Sequence, residues 1–145
     1  MESKNHPNLR LTFYGDDFTG STDVMESLAL LDIPTALFMN VPDAVHVQNY
    51  QFRNPKFKSR KIESVGIAGI SRSCATPVLE KELPIIFEKI AKLHADYFHY
   101  KICSTFDSSP EIGNIGRAIE IACHYFYSEK IPLLVGMPRL NRFVV

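Results

Sequence analysis

The sequence predicts an α/β domain: a parallel, doubly wound sheet of about five strands in three layers. Three observations lead there. Short apolar runs alternate with helix-like segments along the 145 residues, and that alternation implies right-handed crossovers between parallel strands. The strand-like runs are apolar throughout, as expected when helices cover both faces of a sheet. Chemically versatile side chains cluster just after the strands, where ligands of open parallel sheets collect.

The elements follow in order. Leu9–Tyr14 is a short apolar run bounded by Gly15. Ser21–Asp32 sets Val24, Leu28 and Leu31 at helical spacing and is closed by Pro34. Thr35–Met39 reads as the second strand. Asn40–Glu63 contains Pro42 and Pro55 and the basic residues Arg53, Lys56, Lys58, Arg60 and Lys61. It reads as a solvated loop or as an anion-facing flap. Val65–Ile70 is the third strand, its small residues letting helices approach closely. Thr76 is placed as a hydroxyl cap before Pro77 at the first helical position. The stripe Leu83, Ile86, Phe87, Ile90 and Leu93 continues that helix, with a kink or late start at Pro84. Tyr97–Cys103 is a central fourth strand. Ile115–Tyr127 is a helix with Ile115, Ala118, Ile119, Ala122 and Phe126 on one face, and Leu133–Val135 is a fifth strand.

Composition narrows the function. Sixteen Lys+Arg balance sixteen Asp+Glu, which argues against a general nucleic-acid binder. An apolar fraction of 46% argues against disorder. Three cysteines, read as small buried hydrophobes, make no disulfide framework and suit a reducing compartment. Met1–Arg10 has no apolar core, so no signal peptide is visible. The apolar stretch Leu28–Met39 is broken by Asp32 and Pro34 and is too short for a membrane span. The expected location is the cytoplasm. The length suits one domain burying roughly 70% of its unfolded surface.

Strand one is followed by Asp16, Asp17, Thr19 and Gly20; strand three by Ser71 and Arg72. Strand four carries Lys101 and leads to Ser104 and Thr105. Adjacent carboxylates repel unless a cation or hydrogen bonds compensate. One of Asp16 and Asp17 suits a general base toward a hydroxyl, and one of them suits the cap of the following helix. Lys101 in an apolar strand needs a partner, either this carboxylate pair or an anionic ligand. Arg72 suits bidentate capture of a carboxylate. Gly113-Asn114-Ile115-Gly116 opens a helix with glycines on either side of its start. No metal-ligand spacing occurs among the histidines and cysteines, and neither G-x-x-x-x-G-K-[ST] nor G-x-G-x-x-G is present. A response-regulator receiver would need an aspartate where Ser71-Arg72 stands. A haloacid-dehalogenase-like phosphatase would need its nucleophile at Gly15.

Taken together, the motifs resemble the four-carbon acid sugar kinase family. Asp16-Asp17-Phe18-Thr19-Gly20-Ser21-Thr22-Asp23 matches its D-D-x-T-G-x-x-D, Ser71-Arg72 its S-R strand end, and Lys101, Ser104-Thr105 and Gly113-Asn114-Ile115-Gly116 its lysine, S-T and G-N-I-G. Many members read K-x-D-S-T-L-R-G-N-I-G. This chain has Cys103 for the aspartate and a longer loop, Phe106–Ile112. The resemblance implies a Rossmann-like domain that recognises a sugar acid such as threonate, erythronate or an oxo-tetronate. It implies ATP-dependent phosphorylation of a substrate hydroxyl, with ATP and magnesium bound by a separate carboxy-terminal domain. Asp16 and Asp17 are then the catalytic candidates, and Thr19, Arg72, Lys101, Ser104, Thr105 and Gly116 the substrate-binding ones. Residues 1–145 read as a partial amino-terminal domain, inactive alone, with no cofactor motif of its own. Surface left uncovered would favour self-association. The alternative is a non-catalytic module, derived from that family, that binds a small anion or a partner.

Overall fold

The computed structural model describes residues 7–143. Its elements are β1 (Leu11–Gly15), α1 (Phe18–Leu30), β2 (Thr35–Phe38), α2 (Ala44–Asn49), β3 (Ser64–Ala68), α3 (Thr76–Ala91), β4 (Tyr97–Lys101) and α4 (Ile115–Cys123), with single 3-10 turns at Ser71–Ser73 and Pro138–Leu140. The four strands form one parallel sheet in the order β2-β3-β1-β4. The β1-to-β2 crossover passes β3, and the β3-to-β4 crossover passes β1. The two crossovers lie on opposite faces. A Cβ on Gly15 would run into Ser21 of α1, whereas the neighbouring residue Tyr14 meets Phe87 of α3 edge-on. The expected doubly wound α/β architecture is therefore present.

The α3 face carries the larger core. Leu79, Leu83, Phe87 and Ile90 of α3 are buried, as are Ile115, Ala118 and Ile121 of α4. Phe87 touches the rings of Tyr14, Phe98, Tyr100 and Phe126. Phe126 in turn stacks on Phe98, with ring centres 3.9 Å apart. The α1 face is thinner: in α1 only Gly20 and Ser21 are buried, and Leu31 lies past the helix, exposed. Gly66 and Gly69 serve β1 rather than helix packing. A Cβ on Gly66 would stand 2.0 Å from the Phe13 ring, and one on Gly69 2.1 Å from the Tyr14 ring. Each strand face thus offers a glycine socket to an aromatic ring of the adjacent strand.

Several sequence expectations are corrected. Leu133–Val135 forms no strand; the run is short, follows Pro132, and leaves Leu133 and Leu134 exposed. β4 is consequently the sheet edge among the described residues rather than a central strand, and Tyr97 on it is exposed. Thr76 is not the cap of α3. Ala75 holds that position, and the Thr76 hydroxyl instead donates to the Pro110 carbonyl at 2.6 Å. The helix runs on through Pro84. The cysteines are not core residues: Cys74 and Cys103 are half-buried and Cys123 is exposed.

Asn40–Glu63 is ordered. It holds α2, capped by Asp43, and buries Val47, Phe52 and Phe57. Two of its basic residues, Lys56 and Arg60, are taken up within this side of the fold. Lys56 and Arg60 pair with Asp32, and Lys56 also donates to the Ala29 carbonyl. They complement the carboxyl end of α1, where a cation is favoured, so these two serve the helix rather than an anion. No helix among the described residues is long and apolar enough to cross a membrane. Val144 and Val145 lie outside the described residues.

Candidate functional site

The strand register sets the site. Gly15 of β1 stands opposite both Ala68 of β3 and Lys101 of β4, so the segments after these strands leave the sheet at one level. β1 and β3 are neighbours whose crossovers leave on opposite faces, and such a switch point opens a crevice. Backbone bonds hold the segments together. Asp16 N–H donates to the Lys101 carbonyl at 2.9 Å, and Arg72 N–H donates to the Asp16 carbonyl at 3.1 Å.

The adjacent aspartates have separate roles. Asp17 is the amino-terminal cap of α1: its Oδ1 accepts from Gly20 N–H at 2.5 Å. Its Oδ2 lies 2.8 Å from an Arg72 guanidinium nitrogen, with both side chains largely buried. Gly20 is required there, because a Cβ would stand 2.7 Å from the Asp17 carboxylate and 3.5 Å from Lys101 Nζ. Asp16 is only 2% exposed, and its Oδ1 has no hydrogen-bond partner. Burial and then the neighbouring Asp17 charge push its carboxyl above the ordinary range. The Cys103 backbone N–H and the Arg72 and Lys101 charges act against that shift. A buried, unsatisfied oxygen costs stability and marks an acceptor suited to a ligand hydroxyl.

Lys101 is half-buried, and its Nζ donates to the Ile102 carbonyl at 2.6 Å. It therefore does not pair directly with an aspartate. Behind Arg72, the Ser71 hydroxyl and the Tyr100 hydroxyl lie 2.7 Å apart. Tyr100 stacks on Tyr14, whose hydroxyl also bonds Ser71. Burial raises the pKa of both phenols, so they stay neutral. Gly113, at φ +61°, lies against the Arg72 carbonyl: a Cβ would stand 2.5 Å from that oxygen. This approach brings the start of α4 to the site.

The remaining candidates lie around that centre. Thr19 is exposed in the first turn of α1. Ser104 Oγ accepts from Arg142 at 2.9 Å. Thr105 donates to Asp107 at 2.6 Å rather than to the aspartate pair. Gly116 is exposed, with only the Asn114 side chain near, at 3.5 Å from where a Cβ would be. Sequence reasoning missed the Tyr14–Tyr100–Ser71 cluster, Arg142 and the Cys103 thiol. Burial by itself raises the thiol's pKa, but hydrogen bonds from Thr105, with the charge of Arg72, bring it below the ordinary value. A groove of about 640 Å³ lies at the opposite end of the sheet beside Asn8, Asn49, Lys61 and Glu63. It shares no residue with these groups, so chemistry rather than volume marks the site. Among the described residues no group of three His, Cys, Asp or Glu is placed to hold a metal ion.

Comparison with known proteins now bears on this geometry. A family model described as "Sugar-binding N-terminal domain" matches residues 11–145. The chain belongs to that family. This sugar-binding domain is 41% identical over 137 residues to a 3-oxo-isoapionate kinase of Paraburkholderia graminis, covering 93% of the chain and 27% of the relative. It is 32% identical over 149 residues to a 3-oxo-tetronate kinase of Brucella melitensis, covering 99% and 31%. The chain thus spans less than a third of the length of these kinases, matching their amino-terminal part. A crystal structure from Salmonella typhimurium LT2, described as a "putative tRNA synthase", superposes with a TM-score of 0.64 at 28% identity, covering 81% of this chain and 25% of that one. What that structure shares with this domain is the α/β fold.

The buried, unpartnered Oδ1 of Asp16 yields a first expectation. Asp16→Asn removes a buried charge whose pKa is raised. The native state of the wild type holds its proton to higher pH than the unfolded chain does, so its stability falls as pH rises between the two values. The variant therefore melts higher at pH 7. The gain shrinks as pH falls from the raised native value and vanishes below about 4, the ordinary carboxylate range. Thermal melts by circular dichroism at a series of pH values measure this. A lower melting temperature at pH 7 would contradict the burial argument.

Proposed function

We propose that this chain is the sugar-acid-recognition part of an ATP-dependent kinase acting on a hydroxyl of a four-carbon acid sugar, of the threonate, erythronate or oxo-tetronate type. The observation that supports this best is the meeting of Asp16, Asp17, Arg72 and Lys101 at one strand-end crevice in a chain of the sugar-binding family. Asp16, with an unpartnered oxygen, accepts a substrate hydroxyl and is the candidate to take its proton. Asp17, paired with Arg72 and capping α1, orders the crevice. Lys101 and Arg72 contribute positive charge toward hydroxyl and carboxylate oxygens. Thr19, Ser104, Thr105 and Gly116 border the opening.

Phosphoryl transfer needs positioned phosphates and a metal ion. The residues described here do not fit those groups: they include neither a glycine-rich phosphate loop nor a three-ligand metal cluster. In this proposal nucleotide and magnesium are held outside these residues, and the chain by itself does not turn over. Isothermal calorimetry with threonate and erythronate tests the recognition, and a coupled ADP assay tests turnover. Binding of a four-carbon acid without turnover is the expected result. A well-folded chain that binds neither acid would leave the alternative of an interaction module.

A further inference from the structure

The residues from Met137 to Arg142 form a tight return. Met137 N–H donates to the Arg142 carbonyl at 2.7 Å, and Arg142 N–H donates back to the Met137 carbonyl at 3.1 Å. Between them lie the Pro138–Leu140 turn and Asn141 in the left-handed region, at φ 56°. This return sets the Arg142 side chain against Ser104, whose Oγ accepts from the guanidinium at 2.9 Å. Ser104 follows Cys103, whose backbone N–H reaches Asp16, so Arg142 stands at the same strand-end crevice.

The two guanidiniums there are not equivalent. Arg72 is already bound by Asp17. Arg142 pairs with no carboxylate among the described residues, and its one bond at the site is to a neutral hydroxyl. Asp107, on the neighbouring loop, is turned onto Thr105. Lys101 is half-buried on the Ile102 carbonyl and offers only a point charge. A carboxylate entering the crevice therefore finds one exposed planar fork, and guanidinium is the group that grips carboxylate in a bidentate fashion. We propose that Arg142, oriented by Ser104, is the residue that receives the carboxylate of the sugar acid, while Arg72 frames the hydroxyl-binding aspartates. This assignment rests on the sugar-acid reading above.

The test is calorimetric titration of the wild type, Arg142→Ala, Arg142→Lys and Arg72→Ala with threonate and with threitol, which has the hydroxyls but no carboxylate. Arg142 is exposed, so folding, checked by circular dichroism, stays intact in its variants. Arg142→Ala should weaken threonate binding roughly ten- to a hundredfold, the range of a lost charge-assisted bond, and leave threitol unchanged. Arg142→Lys should recover part of the loss. Arg72→Ala should weaken both ligands. Threonate binding by Arg142→Ala within twofold of the wild type, or an equal loss of threitol, would overturn the assignment while sparing the sugar-acid reading. A wild type that binds neither ligand would remove that reading and this inference with it.

Discussion

Arg72→Ala is expected to lower affinity for a four-carbon sugar acid by about 2–4 kcal/mol, roughly thirty- to a thousandfold. The effect is large because the guanidinium does more than attract an anion. It neutralises Asp17 at 2.8 Å, and Asp17 adjoins Asp16, whose charge burial already disfavours. Without Arg72 the two carboxylates lose the cation bound to Asp17, leaving Lys101 beside them and Arg142 at the rim to offset their charge. Asp16 then holds its proton to still higher pH, and its oxygens accept hydroxyls less well. The fold should persist, since the Arg72 carbonyl packed beneath Gly113 and the Arg72 N–H bonded to Asp16 both belong to the backbone. Calorimetry measures the affinity and thermal denaturation the fold. Wild-type affinity in a folded variant would remove Arg72 from the site.

Phe87→Ala is expected to cost about 3–5 kcal/mol of stability, the range for deleting a buried aromatic ring. That is a large share of the roughly 5–15 kcal/mol holding a typical domain together. Phe87 is fully buried and bridges β1, β4 and the segment after α4 through four ring contacts. Its loss opens a cavity against Tyr14 and Tyr100, the two rings that support Ser71. Urea unfolding followed by far-UV circular dichroism gives the change. A loss below 1 kcal/mol would mean the core closes over the gap and the ring is not its keystone.

The alternation of strands and helices was legible because each segment is internally consistent. Leu83, Phe87, Ile90 and Leu93 keep helical spacing and are all buried. The strand-end rule likewise picked out Asp16, Asp17, Arg72 and Lys101, which the register brings to one level. What failed depended on partners distant in sequence. Leu133–Val135 has the composition of a strand but pairs with no strand. The basic residues from Arg53 to Lys61 suggested an anion, yet Lys56 and Arg60 serve the far end of α1. The glycines of β3 resembled helix-packing residues until Phe13 and Tyr14 were seen lying over them. Arg142 could not be placed at the site from the sequence, because its position depends on a chain reversal that returns it to Ser104.

Those glycine sockets also have a mechanical consequence. With Phe13 seated over Gly66 on one face and Tyr14 over Gly69 on the other, β1 and β3 are keyed together from both sides. Neither strand can slide without lifting a ring from its seat, so the crevice wall formed by Asp16, Asp17 and Arg72 behaves as a fixed jaw. The segments carrying Ser104, Thr105 and Arg142 lie beyond the edge strand, outside this keyed pair.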